Sequence, residues 1–215
     1  MDPTRTSTRR LAALTAAAAL TVGLVLAGCD SNDTSPPAST SPATSAEVPT
    51  TAQSGAHNAA DVAFAQQMIP HHRQAVVMSQ MARSQAGTQD VKDLAEQIEK
   101  AQEPEIRTMT GWLKAWGEEV PEGMHDMHDP GGGDPNGTMP GMMSDRQMTD
   151  LDRASGRTFD TMFLTMMIEH HEGAIDMAEA EKQHGAYGPA KGLADRIIKT
   201  QTAEITDMRE MLQGN

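Results

Sequence analysis

The chain repeats itself, and the repeat limits what it can become. A shift of 99 residues lays residues 61–113 on 160–212 without a gap, and 18 of the 53 positions are identical. The identities include Asp61/Asp160, Phe64/Phe163, Met68/Met167, Ile69/Ile168, His71/His170, His72/His171, Ala75/Ala174 and Met78/Met177. They continue with Leu94/Leu193, Ile98/Ile197, Gln102/Gln201, Glu105/Glu204, Ile106/Ile205 and Met109/Met208. A duplicated unit of about 50 residues must bury its apolar face against its copy. Inside the first copy, Phe64, Met68, His71/His72, Ala75 and Met78 recur at steps of three and four, which predicts a helix over about 59–84. Gly87 and its neighbours break it. A second stripe of Leu94, Ile98, Gln102, Glu105, Met109 and Trp112 predicts another helix over 89–116. Each unit is then an αα-hairpin, and two hairpins make an all-α four-helix bundle. Two Trp, one Tyr and three Phe argue against a β-sandwich built on aromatic packing. Pro70, facing Glu169 in the other copy, should kink its helix just before His71.

Four further segments surround the repeat. Residues 1–28 have the form of an export signal: Arg5, Arg9 and Arg10 precede an apolar run from Leu11 to Leu26. That run closes on Leu26-Ala27-Gly28-Cys29, which resembles the lipobox of bacterial lipoproteins. The resemblance makes Cys29 the lipidation site and places the protein outside the cytoplasm, anchored to the outer face of the cell membrane. Residues 29–58 are rich in Ser, Thr, Pro and Ala and read as a flexible tether. The first hairpin occupies 59–116, and 117–143 form a loop dense in Gly, Met and His. Ser144 with Gln147 forms a capping-box pattern, so a short helix opens the segment 144–215 that carries the second hairpin. Residues 59–215 count as one domain.

Charge and composition exclude several functions. The formal net charge of −13 opposes nucleic acid as a partner. One Cys leaves no internal disulfide and no cysteine-based zinc or iron–sulfur site. A phosphate-binding Gly-rich loop, a nucleophile elbow and a His-Glu-x-x-His pair are all absent, so no enzyme activity is expected.

The 17 methionines and the paired histidines carry the chemistry. Met68 lies three and four residues before His71 and His72, so thioether and imidazole share a helical face. Met78 extends that stripe, and Met81 does so in the first copy only. Met167, His170, His171 and Met177 repeat the set. Imidazole with thioether suits copper, Cu(I) above all. Adjacent histidines differ by about 100° around the axis, so one of each pair should point fully inward. A Met stripe of this spacing is also ordinary core packing, which is the competing explanation. Gln102, Glu105, Gln201 and Glu204 interrupt the apolar stripes at core-facing positions, where a buried carboxylate needs a partner. Two roles stand open for the glutamates: acceptors that orient the imidazoles, or direct ligands to a harder metal. Asp61 and Asp160 fit the first turns of their helices, favoured by the macrodipole. In the loop, Met124, His125, Met127 and His128, followed by Met139, Met142 and Met143, have no core to serve and read as metal-capturing residues.

The duplicated Phe-x-x-x-Met-Ile-x-His-His-x-x-Ala-x-x-Met pattern and the Met-Pro-Gly-Met-Met-Ser run at 139–144 resemble domain-of-unknown-function family 305. That resemblance implies an exported, ferritin-like four-helix bundle that binds copper or silver through His and Met. It points to His71, His72, Met68, Met78, His170, His171, Met167 and Met177. The expected function is therefore copper sequestration or transfer, with a metal ion, the membrane and other copper-handling proteins as partners. A ferritin-like metal oxidase and a bundle that only packs or binds a protein partner are the alternatives.

Overall fold

The structure is a computed structural model, and it describes residues 55–123 and 139–214. The export signal, nearly all of the tether including Cys29, and the loop residues Met124, His125, Met127 and His128 lie outside the described residues. Five helices are present among the described residues: α1 (Ala59–Gln85), α2 (Gln89–Trp116), α3 (Asp145–Arg153), α4 (Gly156–His184) and α5 (Gly188–Gly214). Among the described residues the only β pairing is one isolated bridge, between Ala86 and Gly156. None of these helices is long and apolar enough to cross a membrane.

Local chemistry sets the ends. Asn58 Oδ1 accepts from the backbone N–H groups of Ala60 and Asp61, while Asp61 Oδ2 accepts from the Asn58 N–H at 2.6 Å. This reciprocal box opens α1. Ser144 and Gln147 form the expected box at the start of α3. Gly117, at φ +77°, supplies the left-handed residue that ends α2. Helix α1 runs through Pro70 and ends only at Gln85.

Helix α1 packs against α2, α4 against α5, and α1 against α4, so the central seam joins the first helices of the two hairpins. The core is divided into two apolar clusters. One joins Met78 and Ala82 of α1, Leu94 and Ile98 of α2, Phe159, Phe163 and Met167 of α4, and Met208 of α5. The other joins Phe64 and Met68 of α1, Met109 and Leu113 of α2, Met177 of α4, and Leu193 and Ile197 of α5. By sequence position along each helix, His71, His72, Gln102, Glu105, His170, His171, Gln201 and Glu204 fall between these clusters. A polar layer thus crosses the middle of an otherwise apolar bundle.

The repeat also interlocks the hairpins. Asp61 accepts from the N–H groups of Ala186 and Tyr187 in the α4–α5 turn. Asp160 Oδ1 accepts from the Gly87 N–H in the α1–α2 turn at 2.9 Å. Asp61 is in the first turn of α1 as expected, whereas Asp160 is the fifth residue of α4. That corrects the macrodipole reading for Asp160: its carboxylate answers a turn N–H of the other hairpin.

Candidate metal centre

All four histidines of the two pairs are fully buried. The expectation of one inward histidine per pair is corrected here. Helix α1 has α4 on one side and α2 on another, so side chains about 100° apart on it each meet a neighbour; α4 is placed likewise between α1 and α5. His71 and His170 meet across the central seam with ring centroids 3.7 Å apart and planes inclined by 38°. His72 and His171 each turn toward the second helix of their own hairpin.

There the glutamates receive them. His72 Nε2 lies 2.8 Å from Glu105 Oε2, and His171 Nε2 lies 2.8 Å from Glu204 Oε2. A carboxylate only accepts, so each pair fixes its ring orientation and puts the proton on Nε2. The two copies differ in solvation: the Glu105 side chain keeps 21% of its exposure and that of Glu204 only 4%.

His71 Nε2 donates to the Pro140 carbonyl at 3.0 Å. Among the described residues its Nδ1 has no hydrogen-bond partner, nor have the Nδ1 atoms of His72 and His171 or either ring nitrogen of His170. Burial, reinforced by the charge of His72, lowers the His71 pKa to about 3. Burial first, and then the closeness of the other histidines, hold His170 well below the usual histidine range. The central pair is therefore neutral in ordinary buffers, and neutral imidazole is the form that ligates metals.

The remaining sequence-selected residues border this layer. Met68, Met78 and Met167 are fully buried and Met177 nearly so, each a member of an apolar cluster. Met81 is half-buried at the edge of the first cluster. Gln102 is buried with neither side-chain polar atom paired, and Gln201 Oε1 is likewise unpaired. Among the described residues, no group of three or more His, Cys, Asp or Glu side chains forms a ready-made metal cage. What the layer offers is a set of imidazole nitrogens without partners among the described residues, with methionines along the same helices on either side.

Three residues were missed in the sequence: Gln74, Pro140 and Gly173. Gln74 and Gly173 occupy the same repeat position, and that mismatch inside a matched motif was the available signal.

Solved structures of similar proteins have the same architecture. A secreted DUF305 protein from Streptomyces coelicolor aligns at 33% identity and a TM-score of 0.64, covering 72% of this chain and 93% of its own. A DUF305 fragment from Deinococcus radiodurans aligns at 28% identity and 0.64, covering 74% and 98%. CopM in its Cu(II)-bound form aligns at 33% identity and 0.59, covering 72% and 96%. CopM also matches in Cu(I)-bound and silver-bound forms. No curated protein matches the chain. The family model for the domain of unknown function DUF305 spans residues 61–212, the duplicated hairpins from the first anchoring aspartate almost to the end of α5. On that match, the chain belongs to the DUF305 family.

Proposed function

We propose that this protein binds copper as cargo, as Cu(I), and sequesters it or passes it on. The observation that carries the reading is the His71–His170 pair: two buried, neutral imidazoles in contact, with three of their four ring nitrogens unpartnered. Unpaired buried polar atoms are costly, and a cation would satisfy the free lone pair on each ring, at His71 Nδ1 and at the unprotonated nitrogen of His170. Imidazole and thioether are the donors that hold Cu(I) well, and Met68 and Met167 stand one helical turn before the two histidines, with Met78 and Met177 two turns beyond them. The Cu(I)-bound, Cu(II)-bound and silver-bound structures of CopM support the same chemistry at 30–33% identity.

In this reading His71 and His170 are the central ligands. His72 and His171 present Nδ1 from rings that Glu105 and Glu204 hold in place. The role is storage and transfer, without turnover. The export-signal pattern and the lipobox-like Leu26-Ala27-Gly28-Cys29 support a location at the outer face of the cell membrane, where the acidic chain would concentrate cations. Other copper-handling proteins would exchange ions with it, and the Met124-His125-Asp126-Met127-His128 run would make first contact.

The test is Cu(I) titration, under reductant, of the chain and of a His71→Leu/His170→Leu variant, with thermal unfolding alongside. Copper should raise the melting temperature of the parent chain, because a ligand bound only to the folded state stabilises it. The double variant should bind fewer copper ions and lose the shift. Equal stoichiometry and an equal shift in both proteins would overturn the assignment. Oxygen uptake on adding Cu(I) or Fe(II) should stay at background; rapid uptake would favour the oxidase.

A further inference from the structure

The histidine layer is sealed at one place by something other than a long helix. Residues 139–143, Met-Pro-Gly-Met-Met, form a strap across α1 and α4 directly at His71. Its conformation is a turn closed by the Met142 N–H on the Met139 carbonyl at 3.0 Å. Gln74 fastens it to α1: the amide Nε2 donates to the Met143 carbonyl at 2.8 Å, and Oε1 accepts from the Met143 N–H at 2.7 Å. Three residues earlier on the same helix, His71 holds the Pro140 carbonyl. On α4 the strap lies against Gly173, where a Cβ would stand 2.1 Å from the Pro140 oxygen. Gly141, at φ +75°, also approaches closely, since its own Cβ would stand 2.6 Å from the Glu169 carbonyl oxygen.

Gln74 and Gly173 are the same position of the repeat, so the strap is seated by a latch on one copy and a gap on the other. Parting the long helices would expose two apolar clusters. Lifting the strap breaks three hydrogen bonds and withdraws one side chain, Met143, from the first apolar cluster, uncovering His71 and Gln74 beneath it. Segments held by so few contacts open at the low end of the stability range. Met139 and Met142 are half-buried, and neither belongs to the side chains packed on the two clusters.

We propose that this strap is the port of the histidine layer, with the Met139 and Met142 thioethers as the outer landing site for a soft monovalent cation and Gln74 as the latch. The proposal rests on the reading of His71 and His170 as ligands and adds the route to them. Thioethers suit the task because they bind Cu(I) and Ag(I) while remaining uncharged and unprotonated.

Two measurements on the full chain test it, with Ag(I) as a redox-inert probe. The first needs no metal: amide hydrogen exchange in Gln74→Leu, and in Gln74→Met should the first fold poorly. Exchange at the Met143 N–H should rise by about a hundredfold while the interiors of α1 and α4 keep their protection. Unchanged exchange at Met143 overturns the latch. The second is stopped-flow loading with Ag(I). Gln74→Leu should load and release about tenfold faster at unchanged stoichiometry, and Met139→Leu/Met142→Leu should load about tenfold more slowly. Parent rates in both variants overturn the port. To separate this from failure of the ligand reading, the Cε methyl resonances of Met139 and Met142 are followed in His71→Leu/His170→Leu. Shifts on adding Ag(I) support the landing site even if the histidines bind nothing, and their absence overturns it.

Discussion

At Glu181 the fold keeps a carboxyl group protonated. Burial first, and then the neighbouring Asp61, push its pKa from the ordinary 4.5 up to about 8, with Lys191 pulling weakly the other way. Asp61 is held low, because the N–H groups of Asn58, Tyr187 and Ala186 outweigh the effect of burial. With Glu181 protonated, Asp61 alone carries the charge of the two carboxyl groups. The folded chain retains a proton that the unfolded chain releases above about pH 4.5, so this contribution is complete below that pH and is lost as pH rises through about 8. Glu181→Gln should therefore remove part of the decline in melting temperature between pH 5 and 9 and raise stability at the alkaline end. Parallel curves for the two proteins would refute the assignment. Nothing local in the sequence announces this pair. Its counterpart in the first copy is Ala82, and the contact joins residues 120 positions apart. The histidines were legible because they recur within an amphipathic period. Their burial in both directions was not, since one helix alone does not tell how many neighbours surround it.

At the scale of elements the sequence is more explicit. Periodicity and caps predict helices over about 59–84 and 89–116, and the structure has Ala59–Gln85 and Gln89–Trp116. The Ser144/Gln147 box marks α3 equally well. The box at Asn58 goes further than a local signal, because Asn58 Nδ2 also donates to the His184 carbonyl at the end of α4 at 2.8 Å. Loss of an N-cap costs about 1 kcal/mol, and Asn58→Ala should cost at least that in denaturant unfolding. A change below a few tenths would mean that water replaces both roles. The strap is the element that the sequence does not show. Met139–Met143 has no period, and its seat exists only where Gln74 and Gly173 come together from separate hairpins.

The helical bundle, taken as a whole, is two apolar clusters with a polar layer between them. Phe163 is fully buried in the first cluster and stacks on Phe159 at 5.8 Å. Phe163→Ala should cost about 3–5 kcal/mol by chemical denaturation. Each cluster draws on all four long helices, and each turn is held by an aspartate of the opposite hairpin. A hairpin alone keeps one exposed apolar face and an unanswered carboxylate. Residues 55–123 by themselves should show little helix by circular dichroism and gain it on mixing with 139–214. A cooperative helical transition in the single piece would disprove that dependence. The duplication and its helical period made this architecture readable, because two equal amphipathic hairpins have few ways to bury their faces.

An exact duplicate would place His71 and His170 in equivalent surroundings, related by a twofold axis along which nothing distinguishes one side from the other. The Pro140 carbonyl removes that equivalence, fixing the tautomer of one ring and leaving its twin undetermined. The pair is consequently polar in the crystallographer's sense, with a head and a tail. Its two imidazoles should give separate resonances in the apo protein, and an occupant would have a single preferred orientation in place of two degenerate ones.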